Sequence, residues 1–352
     1  MRVAYYYNLA RRLPPDDPGT NPYGELLCRA LERLGVDIEF EVVLDDVYLE
    51  RNRGRVDVLH FNWPHYDYYH DDAGQMHARM RQFVARLELA RALGYKVVWT
   101  AHNIYPHNRR HQAIDHECRL EICRLATAVI AHCEAARDEV ERRFGRRCAL
   151  FVIPHGNFID VYARSGTRAQ ARAQLGVPEA AFAYGFFGGL MPYKGFEELI
   201  AEFRGLAGDD AWLLGTGGGK PEYLDRLRAL VEGVPRIVLR TFARAPNEEI
   251  AAVLDAADVI ALPFPATMTS GTVMLALSWP KPVIAPALGC LPVTVAPGAG
   301  ILYDPQQPGA LGDALRDART LDLAAAERAA LAGARRFDWD TIARATLAAY
   351  ES

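Results

Sequence analysis

The sequence predicts an α/β protein with two domains, each built around a parallel sheet. Short apolar runs alternate with helix-like segments, which is typical of strands that crossover helices bury on both faces. The alternation stops between residues 162 and 175 and starts again at 182–187 (FAYGFF). At 352 residues the chain also exceeds one core of ordinary size. We therefore expect an N-terminal domain over residues 1–165 and a C-terminal domain over residues 166–337.

The first domain is predicted to contain six parallel strands joined by helices. The strand segments are 2–7, 38–43, 56–61, 96–100, 128–132 and 149–153, and the main helical segments are 24–34, 76–93, 115–125 and 134–144. The long polar loop at 13–23 lacks the GxGxxG glycines of a dinucleotide-binding turn. We expect this loop to cover a cleft instead of gripping a pyrophosphate.

The second domain is predicted to repeat the strand and helix alternation with five strands. These are 182–187, 211–215, 237–240, 258–262 and 282–286. The helices between and after them are 196–203, 222–231, 248–256, 308–321, 323–337 and 340–350, and a Gly/Pro-rich turn is expected at 289–300. Residues 162–175 have little β character, so we interpret them as the connection between the domains.

Two segments of the second domain are candidates for binding a phosphate. The first, GGLMPYKG at 188–195, follows a strand with glycines and places Lys194 before a helix, so backbone and charge can both reach an anion. The second, ATMTSGTVMLALSWPKPVIA at 266–285, runs from a Thr-Ser-Gly turn into an apolar helix. The first N–H groups of such a helix suit a phosphate. An ordinary strand-to-helix turn is the alternative interpretation.

A third glycine-rich segment, TGGGK at 216–220, resembles a P-loop only superficially. Its glycine spacing differs from the P-loop pattern. Pro221 also follows the lysine, where a Ser or Thr would have to bind Mg²⁺. The segment therefore argues against ATP hydrolysis.

The first domain offers candidates for binding an acceptor. His102 and Asn103 follow the fourth strand, at the strand end where ligands collect in open α/β sheets. The segment NWPHYDYYHDD at 62–72 combines aromatic rings, which stack on sugar faces, with groups that hydrogen-bond hydroxyls. A structural histidine and a solvated loop are the alternative interpretations. The candidate acceptor residues are Trp63, His65, Tyr66, Asp71, Asn103, His107, His155 and Asn157.

Composition excludes several classes of function. The net charge of −4 and the even mixture of charges give no signature of a nucleic-acid binder or a disordered tail. The six cysteines form no CxxC pair and have no metal-finger spacing, which argues against a metal site built from cysteines. We expect no metal and no bound cofactor. No apolar run approaches the roughly 20 residues of a membrane span, and the first residues lack a signal-peptide pattern.

We expect a cytoplasmic protein. The arginine-rich segments 79–91 and 137–147 leave a peripheral contact with the inner face of the membrane open, although a solvated helix face is the commoner explanation of such segments.

Taken together, these segments resemble the retaining nucleotide-sugar glycosyltransferases of the two-Rossmann, or GT-B, type, in particular family four. GGLMPYKG resembles that family's glycine-to-lysine loop, and PVIA at 282–285 resembles the strand after its donor-binding helix. VVWTAHNIYPH and VIPHGN resemble the active-site strand end and the strand before the linker. Trp339 with Ile342 and Ala343 resembles the final helix that crosses back to the first domain.

The resemblance implies a fold and a set of roles. The fold is GT-B, with two Rossmann-like domains whose parallel sheets face each other across a cleft, and with residues 338–352 returning to the first domain. Lys194 would contact the donor diphosphate, together with Gly188, Gly189 and the backbone N–H groups of Ser270, Gly271 and Thr272. His102 would lie beside the transferred sugar and share the catalytic role with Lys194. Residues near the sugar or nucleoside would be Thr267, Thr269, Leu275, Phe242 and Arg244.

Two departures from the family pattern concern the donor. Alignment on Pro282 places Thr267 and Leu275 where the family carries paired glutamates. Gly189 stands where an arginine usually follows the first glycine of the lysine loop. The first glutamate normally touches the sugar and the second the ribose, so the resemblance implies that these donor contacts are rebuilt or lost.

The expected function is metal-independent transfer of a hexose from a nucleoside diphosphate sugar to a hydroxyl of a glycan, a glycolipid or a small molecule. The TSG form, together with the WP and HN…PH segments, resembles a bacterial mannosyltransferase-like subgroup of glycolipid or exopolysaccharide assembly, which favours GDP-mannose over a UDP-sugar. The family reaction retains configuration; an inverting reaction would need a base, for which His102 and Asp71 are candidates. A degenerate sugar-nucleotide binder and a nicotinamide-dependent oxidoreductase are the alternatives.

Overall fold

The computed structural model of the chain describes residues 1–6, 14, 16–17, 21–40, 43–106, 110–206 and 210–352. His107 and much of the loop at 13–23 lie outside these ranges. The chain forms two compact units: unit 1 consists of Met1–Pro14, Tyr23–Gly156 and Trp339–Ser352, and unit 2 of Pro15–Pro22 and Asn157–Asp338. The division after Gly156 comes earlier than the boundary expected at residue 165.

Unit 1 contains a six-stranded parallel sheet with the order β2-β1-β3-β4-β5-β6. The strands are β1 (Arg2–Tyr6), β2 (Asp37–Glu39), β3 (Val58–Phe61), β4 (Lys96–Ala101), β5 (Ala128–Ala131) and β6 (Leu150–Val152). The helices are α1 (Tyr23–Arg33), α2 (Asp46–Asn52), α3 (His65–Tyr68), α4 (Ala73–Ala92), α5 (Gln112–Leu125) and α6 (Glu134–Phe144). Strands β3, β4 and β5 are almost wholly buried, as their apolar runs predict.

Unit 2 contains a second six-stranded parallel sheet, with the order β12-β11-β10-β7-β8-β9. Its strands are β7 (Phe182–Gly189), β8 (Ala211–Gly218), β9 (Ile237–Phe242), β10 (Val259–Ala261), β11 (Val283–Pro286) and β12 (Gly300–Tyr303). Its helices are α7 (Arg168–Leu175), α8 (Phe196–Arg204), α9 (Pro221–Val231), α10 (Asn247–Ala256), α11 (Gly271–Ser278), α12 (Leu291–Thr294), α13 (Ala310–Ala318) and α14 (Leu323–Arg335). Two parallel sheets with crossover helices confirm the predicted α/β class.

Two sequence interpretations of unit 2 were wrong. The expected turn at 289–300 runs into a sixth strand, β12, which pairs with β11 through Gly300 opposite Val283. Gly300 has φ +151, and a Cβ there would overlap the backbone of Val283, so a glycine is needed for this pairing. The supposed connection at 162–175 contains helix α7, which a capping box between Thr167 and Gln170 starts.

Helix α7 belongs to the core of unit 2 because of Arg172. The guanidinium is only 1% exposed; it donates to the carbonyl of Ala256 at 3.0 Å and to Asp258 Oδ2 at 2.8 Å. Asp258 in turn accepts from the N–H of Ala183 at 2.8 Å. A buried ion pair with its hydrogen bonds satisfied fixes the geometry between the helix and the first strand of the sheet.

The last helix, α15 (Trp339–Glu351), returns to unit 1 and packs against α1. The ring of Trp339 fills the space beside Gly156, where any Cβ would overlap the indole. Near the end of the helix, the hydroxyl of Tyr350 lies 2.6 Å from His60 Nδ1 in the core. The crossing of the C-terminal helix to the first domain is therefore confirmed.

Candidate active site

The carboxyl end of β7 lies beside the first turn of α11. Gly188 has φ +113, and a Cβ there would sit 3.7 Å from Thr272 Oγ1. Only glycine adopts this backbone conformation without strain. The end of the strand therefore lies against the start of the helix, which brings Gly188 and Thr272 together in unit 2, with Gly189 as the last residue of the strand.

Lys194 is held at the end of the neighbouring strand β10. Gly195, which follows it, has φ +75, and a Cβ at this position would overlap the carbonyl oxygen of Pro263. The Nζ of Lys194 lies 4.8 Å from the ring centroid of Phe264 and 5.4 Å from that of Tyr193. Burial lowers the pKa of Lys194 to about 8. Within the described ranges no carboxylate lies at ion-pair distance from this amine, so an anion would find an unneutralised charge.

The N-terminus of α11 is capped as the Thr-Ser-Gly turn predicts. Ser270 takes an extended conformation, and its hydroxyl accepts from the N–H of Val273 at 3.2 Å. The N–H groups of Gly271 and Thr272 belong to the first turn, whose donors have no carbonyl partner within the helix. These N–H groups and the helix dipole are a second source of positive potential in unit 2, in addition to the charge of Lys194.

The loop that carries Thr267 and Thr269 is fixed by the turn after β11. The N–H of Cys290 donates to the carbonyl of Met268 at 2.7 Å, and the hydroxyl of Thr267 donates to the carbonyl of Thr269 at 3.0 Å. A Cβ at Gly289 would overlap this loop. The hydroxyl of Thr267 is therefore engaged within its own loop.

Leu275 lies further along α11 and is only 8% exposed. An apolar side chain in this position packs in unit 2 and offers no hydrogen bond to a ribose. Phe242 ends β9, and Arg244 follows it on the exposed part of the next loop. The N–H of Gly219 donates to the carbonyl of Phe242 at 3.3 Å, which ties this loop to the end of β8.

The glycines of the TGGGK segment serve close packing of the backbone. A Cβ at Gly217 would overlap the carbonyl oxygen of Gly188, and one at Gly218 would lie 2.9 Å from the carbonyl oxygen of Ala243. The segment continues β8 as far as Gly218 instead of forming a phosphate cradle. This geometry agrees with the sequence argument against a P-loop.

His102 lies directly after β4 in a buried cluster of unit 1. Its Nε2 is 2.9 Å from Asn62 Oδ1, and its Nδ1 is 3.0 Å from His132 Nε2. Trp63 stacks on the imidazole, with 4.6 Å between ring centroids and 19° between planes. His132, which follows the adjacent strand β5, was missed by the sequence reasoning. Its place at the end of the AVIA strand, next to the strand of His102, is the signal that identifies it.

Tyr23 joins the other aromatic groups of this cluster. Its ring centroid lies 4.6 Å from that of His102, 4.8 Å from that of His155 and 5.5 Å from that of Trp339. Burial lowers the pKa of His102 well below its ordinary value, that of His132 to about 4 and that of His155 to about 3. All three imidazoles are therefore neutral at neutral pH.

The other predicted acceptor residues of unit 1 are spread over the segment 62–72 and the end of β4. His65 and Tyr66 open α3, with ring centroids 4.2 Å apart, and Tyr66 is 55% exposed. Asn103 follows His102 and is half-buried. Asp71 accepts from Tyr69 and pairs with Arg110, and these contacts lower the pKa of its carboxyl. A carboxylate with a lowered pKa is a weak base, which argues against Asp71 in that role.

Asn157 belongs to unit 2, although the sequence analysis grouped it with the acceptor residues. Its Nδ2 donates to the carbonyl of Ala334 at 3.2 Å, and its Oδ1 accepts from the N–H of Ile159 at 3.2 Å. These bonds connect the segment after β6 to the end of α14, so the side chain has a structural role there.

The arginine-rich helices are extensively ion-paired. In segment 137–147, Arg142 and Arg143 share Glu139, and Arg137 pairs with Glu134 and Asp138. In segment 79–91, Arg86 lies 3.7 Å from Asp46. Paired charges of this kind fit the solvated helix face considered above. Across the described ranges, no helix is both long and apolar enough to cross a membrane, and no cluster of His, Cys, Asp and Glu has the arrangement of a metal site.

Two models of known protein families match the chain, one in each half. The model of Glycosyltransferase Family 4 matches residues 47–160, and the model of Glycosyl transferases group 1 matches residues 181–320. The chain therefore carries a Glycosyltransferase Family 4 domain followed by a Glycosyl transferases group 1 domain. Each matched segment lies around one of the two clusters described above, so the sequence resemblance to this family is confirmed.

Curated relatives and solved structures are consistent with this assignment. The chain is 31% identical over 248 residues to the D-inositol 3-phosphate glycosyltransferase of Streptomyces avermitilis, covering 66% of this chain and 53% of that protein. It is 31% identical over 252 residues to that of Corynebacterium urealyticum, covering 67% and 59%. The chain thus spans a little over half the length of these relatives.

The fold is similar to that of sucrose-phosphate synthase from Thermosynechococcus elongatus, with a TM-score of 0.74, 19% identity and coverage of 99% of this chain and 98% of that one. It is also similar to Anabaena HepE in complex with UDP and glucose, with a TM-score of 0.70, 18% identity and coverage of 100% and 99%. These structures confirm the GT-B fold of the chain.

Proposed function

We propose that the chain transfers a hexose from a nucleoside diphosphate sugar to a hydroxyl group, with unit 2 binding the donor and unit 1 binding the acceptor. The observation that carries the proposal is Lys194, a partly buried amine without a carboxylate partner in the described structure, in the same unit as the open N-terminus of α11. Diphosphate is the leaving group of the reaction, and fixed positive groups stabilise its developing charge. Lysine and a helix end supply this stabilisation without a metal ion.

The acceptor side rests on the cluster around His102 and Trp63. An aromatic ring stacked on an imidazole provides an apolar face for a sugar ring and polar groups for its hydroxyls. Retention is the outcome we propose, because it needs no protein base and both candidate bases are weak: hydrogen bonds and an ion pair lower the pKa of Asp71, and burial lowers that of His102. The acceptor is a glycan, a lipid-linked sugar or a small polyol. Since the curated relatives are named for an inositol phosphate, such a cyclitol belongs in the acceptor screen.

The donor we propose first is GDP-mannose, on the basis of the TSG turn, with a UDP-sugar as second choice. The test first measures binding of GDP, UDP, ADP and dTDP by calorimetry. It then measures release of the nucleoside diphosphate that binds from sugar donors that carry it. We expect one diphosphate to bind at micromolar concentration and its sugar donor to be consumed only when an acceptor is present. Failure of every diphosphate to bind would contradict the proposal.

A second function is favoured by one observation. Leu275 is buried and Thr267 bonds within its own loop, so neither replaces the acidic contacts of the family. A chain with these changes would serve as a sugar-nucleotide binder without transfer. Binding of a donor with neither hydrolysis nor transfer, across the acceptor screen, would support this alternative.

The pH dependence of nucleotide binding is a direct test of Lys194. Its pKa of about 8 in the free protein is lowered by burial, and a bound diphosphate stabilises the charged form and raises that pKa. Below about pH 8 the Lys194 amine is already charged, so diphosphate binding does not depend on pH through this group. Above about pH 8 the amine must take up one proton when the diphosphate binds. We expect the dissociation constant for the diphosphate to rise up to about tenfold per pH unit between roughly pH 8 and 9.5. Calorimetry in matched buffers measures it.

Lys194→Arg provides the control for this profile, because a guanidinium stays charged over the whole range. We expect weaker but pH-independent binding by this variant. The same loss of affinity at high pH in both proteins would assign the effect to another group.

A further inference from the structure

The contacts of His132 determine where its ring proton lies. Its Nδ1 is 2.8 Å from the carbonyl oxygen of Ile153. A carbonyl oxygen only accepts, so a neutral His132 carries its proton on Nδ1 and has a bare Nε2. That Nε2 lies 3.0 Å from His102 Nδ1. To satisfy it, His102 must carry its own proton on Nδ1 and donate it to His132.

The same order leaves Nε2 of His102 without a proton. This nitrogen is 2.9 Å from Asn62 Oδ1, while the Nδ2 of Asn62 donates to the carbonyl of Tyr6 at 3.1 Å. The amide is thereby oriented with its oxygen toward the bare nitrogen. Two acceptors face each other, but the Asn62 oxygen also accepts from the Tyr5 hydroxyl at 3.4 Å, so among the described residues it is Nε2 of His102 that lacks a donor. A buried acceptor without a donor costs free energy. Rotating the amide would only move the conflict to the carbonyl of Tyr6.

Within the part of the chain that the structure describes, no charged group next to His102 and His132 favours a second proton on either imidazole. His60 and His155 are buried, and burial lowers the pKa of each to about 3. Burial also raises the pKa of the Tyr23 hydroxyl. With His132 neutral as well, His102 is surrounded by uncharged titratable groups, and its own burial disfavours an extra proton.

We propose that His132 is a positioning residue that holds His102 in the Nδ1–H form, so that Nε2 of His102 is kept as a bare hydrogen-bond acceptor for a hydroxyl of the substrate. A hydroxyl that donates to Nε2 takes the place of the Asn62 oxygen and removes the conflict between two acceptors. The hydroxyl as ligand rests on the proposed function, whereas the position of the proton does not.

The test is the tautomer of His102 in the full-length chain. Long-range proton–nitrogen correlation spectra of protein labelled with ¹⁵N-histidine distinguish the two forms at about pH 7.5. The His102→Gln variant assigns the resonances. We expect wild-type His102 to be the Nδ1–H form. In His132→Phe, the Asn62 oxygen is the remaining partner, and His102 should change to the Nε2–H form.

Two further variants separate positioning from packing. His132→Gln keeps a side-chain oxygen that can accept from His102 Nδ1, so we expect the Nδ1–H form to be retained. His60→Gln changes a buried histidine that contacts Tyr350 and Thr100, outside the pair. We expect it to leave the spectrum of His102 unchanged.

The Nε2–H form in the wild type, or an unchanged tautomer in His132→Phe, would overturn the proposal. The wild-type spectrum alone decides the matter if His132→Phe does not fold. If the chain transfers sugar, His132→Phe should lower kcat about tenfold with the donor KM within about twofold, and His132→Gln should restore most of kcat. Absence of transfer with every donor would contradict the proposed function. The spectra would still show which nitrogen of His102 carries the proton, because that measurement does not depend on transfer.

Discussion

Replacement of Lys194 by alanine is expected to weaken binding of the nucleoside diphosphate about 100-fold, or roughly 3 kcal/mol, and to lower turnover by about 10²–10³-fold. Lys194 is the amine that Phe264 and Gly195 hold at the end of β10. Its removal leaves the helix end of α11 to face the diphosphate alone. Because the charge on the leaving group grows in the transition state, the loss of turnover should exceed the loss of ground-state affinity.

Lys220→Ala is the matched control for this experiment. Lys220 also follows a run of glycines, but it is exposed at the start of α9, beyond a segment whose glycines serve backbone packing. We expect it to retain wild-type affinity and turnover. Calorimetry with the diphosphate and a donor-consumption assay measure both variants. Unchanged turnover in Lys194→Ala would refute the role assigned to this lysine.

Replacement of Gly195 by alanine is expected to destabilise unit 2 by about 3 kcal/mol and to abolish diphosphate binding at the concentrations where the wild type is saturated. The substitution combines two costs. Gly195 has φ +75, which an L-residue rarely adopts, and the new methyl group would overlap the carbonyl oxygen of Pro263. Relief requires the turn to move away from β10, and Lys194 moves with it.

Gly233→Ala separates these two costs. Gly233 has φ +72 in the same unit, with no atom within 4 Å of the added Cβ. It should therefore show only the backbone strain, about 1 kcal/mol, and normal binding. Denaturant unfolding gives the stabilities, and calorimetry gives the affinities. Equal destabilisation of the two variants would show that the packing on Pro263 is unimportant.

The fold was largely predictable because buried parallel strands leave a strong pattern. VVWT, AVIA and VIAL are continuous apolar runs, and each is a strand in the structure or forms most of one. β12 was missed because its GILY run is short and follows prolines and glycines that are typical of a turn. α7 was missed although its alanines and arginines are good helix formers, because Leu175 is its one large apolar residue and gives no amphipathic pattern. The pairing of Arg172 with Asp258 that places the helix in the core is remote in sequence.

Site residues were predictable where they belong to a short sequence motif whose function follows from the residues next to them. Lys194 and the Ser270 cap belong to short motifs with a clear mechanism: in the structure Lys194 ends a short 3-10 helix before α8, and Ser270 is the N-cap of α11. His132 has no such motif. Its contact with His102 depends on the register of β4 and β5, which aligns Ala101 with Ala131 and so brings the residues after them together. Asn157 lies in unit 2, because its hydrogen bonds to Ala334 and Ile159 fall on that side of the division, and such remote contacts leave no mark in the local sequence.

Helix α15 gives the chain an unusual order of assembly. Trp339 and Tyr350 complete a core whose other members, such as Tyr23 and His60, lie near the start of the polypeptide. On the ribosome, all of residues 157–338 must be made before α15 emerges, which at roughly 5–20 residues per second takes about ten seconds or more. Until then the nascent N-terminal half has an open apolar flank beside α1 and Gly156. Unit 1, most of which is synthesised before unit 2, therefore completes its core only after unit 2 has been synthesised. We expect chaperones that bind during translation to bind mainly to unit 1.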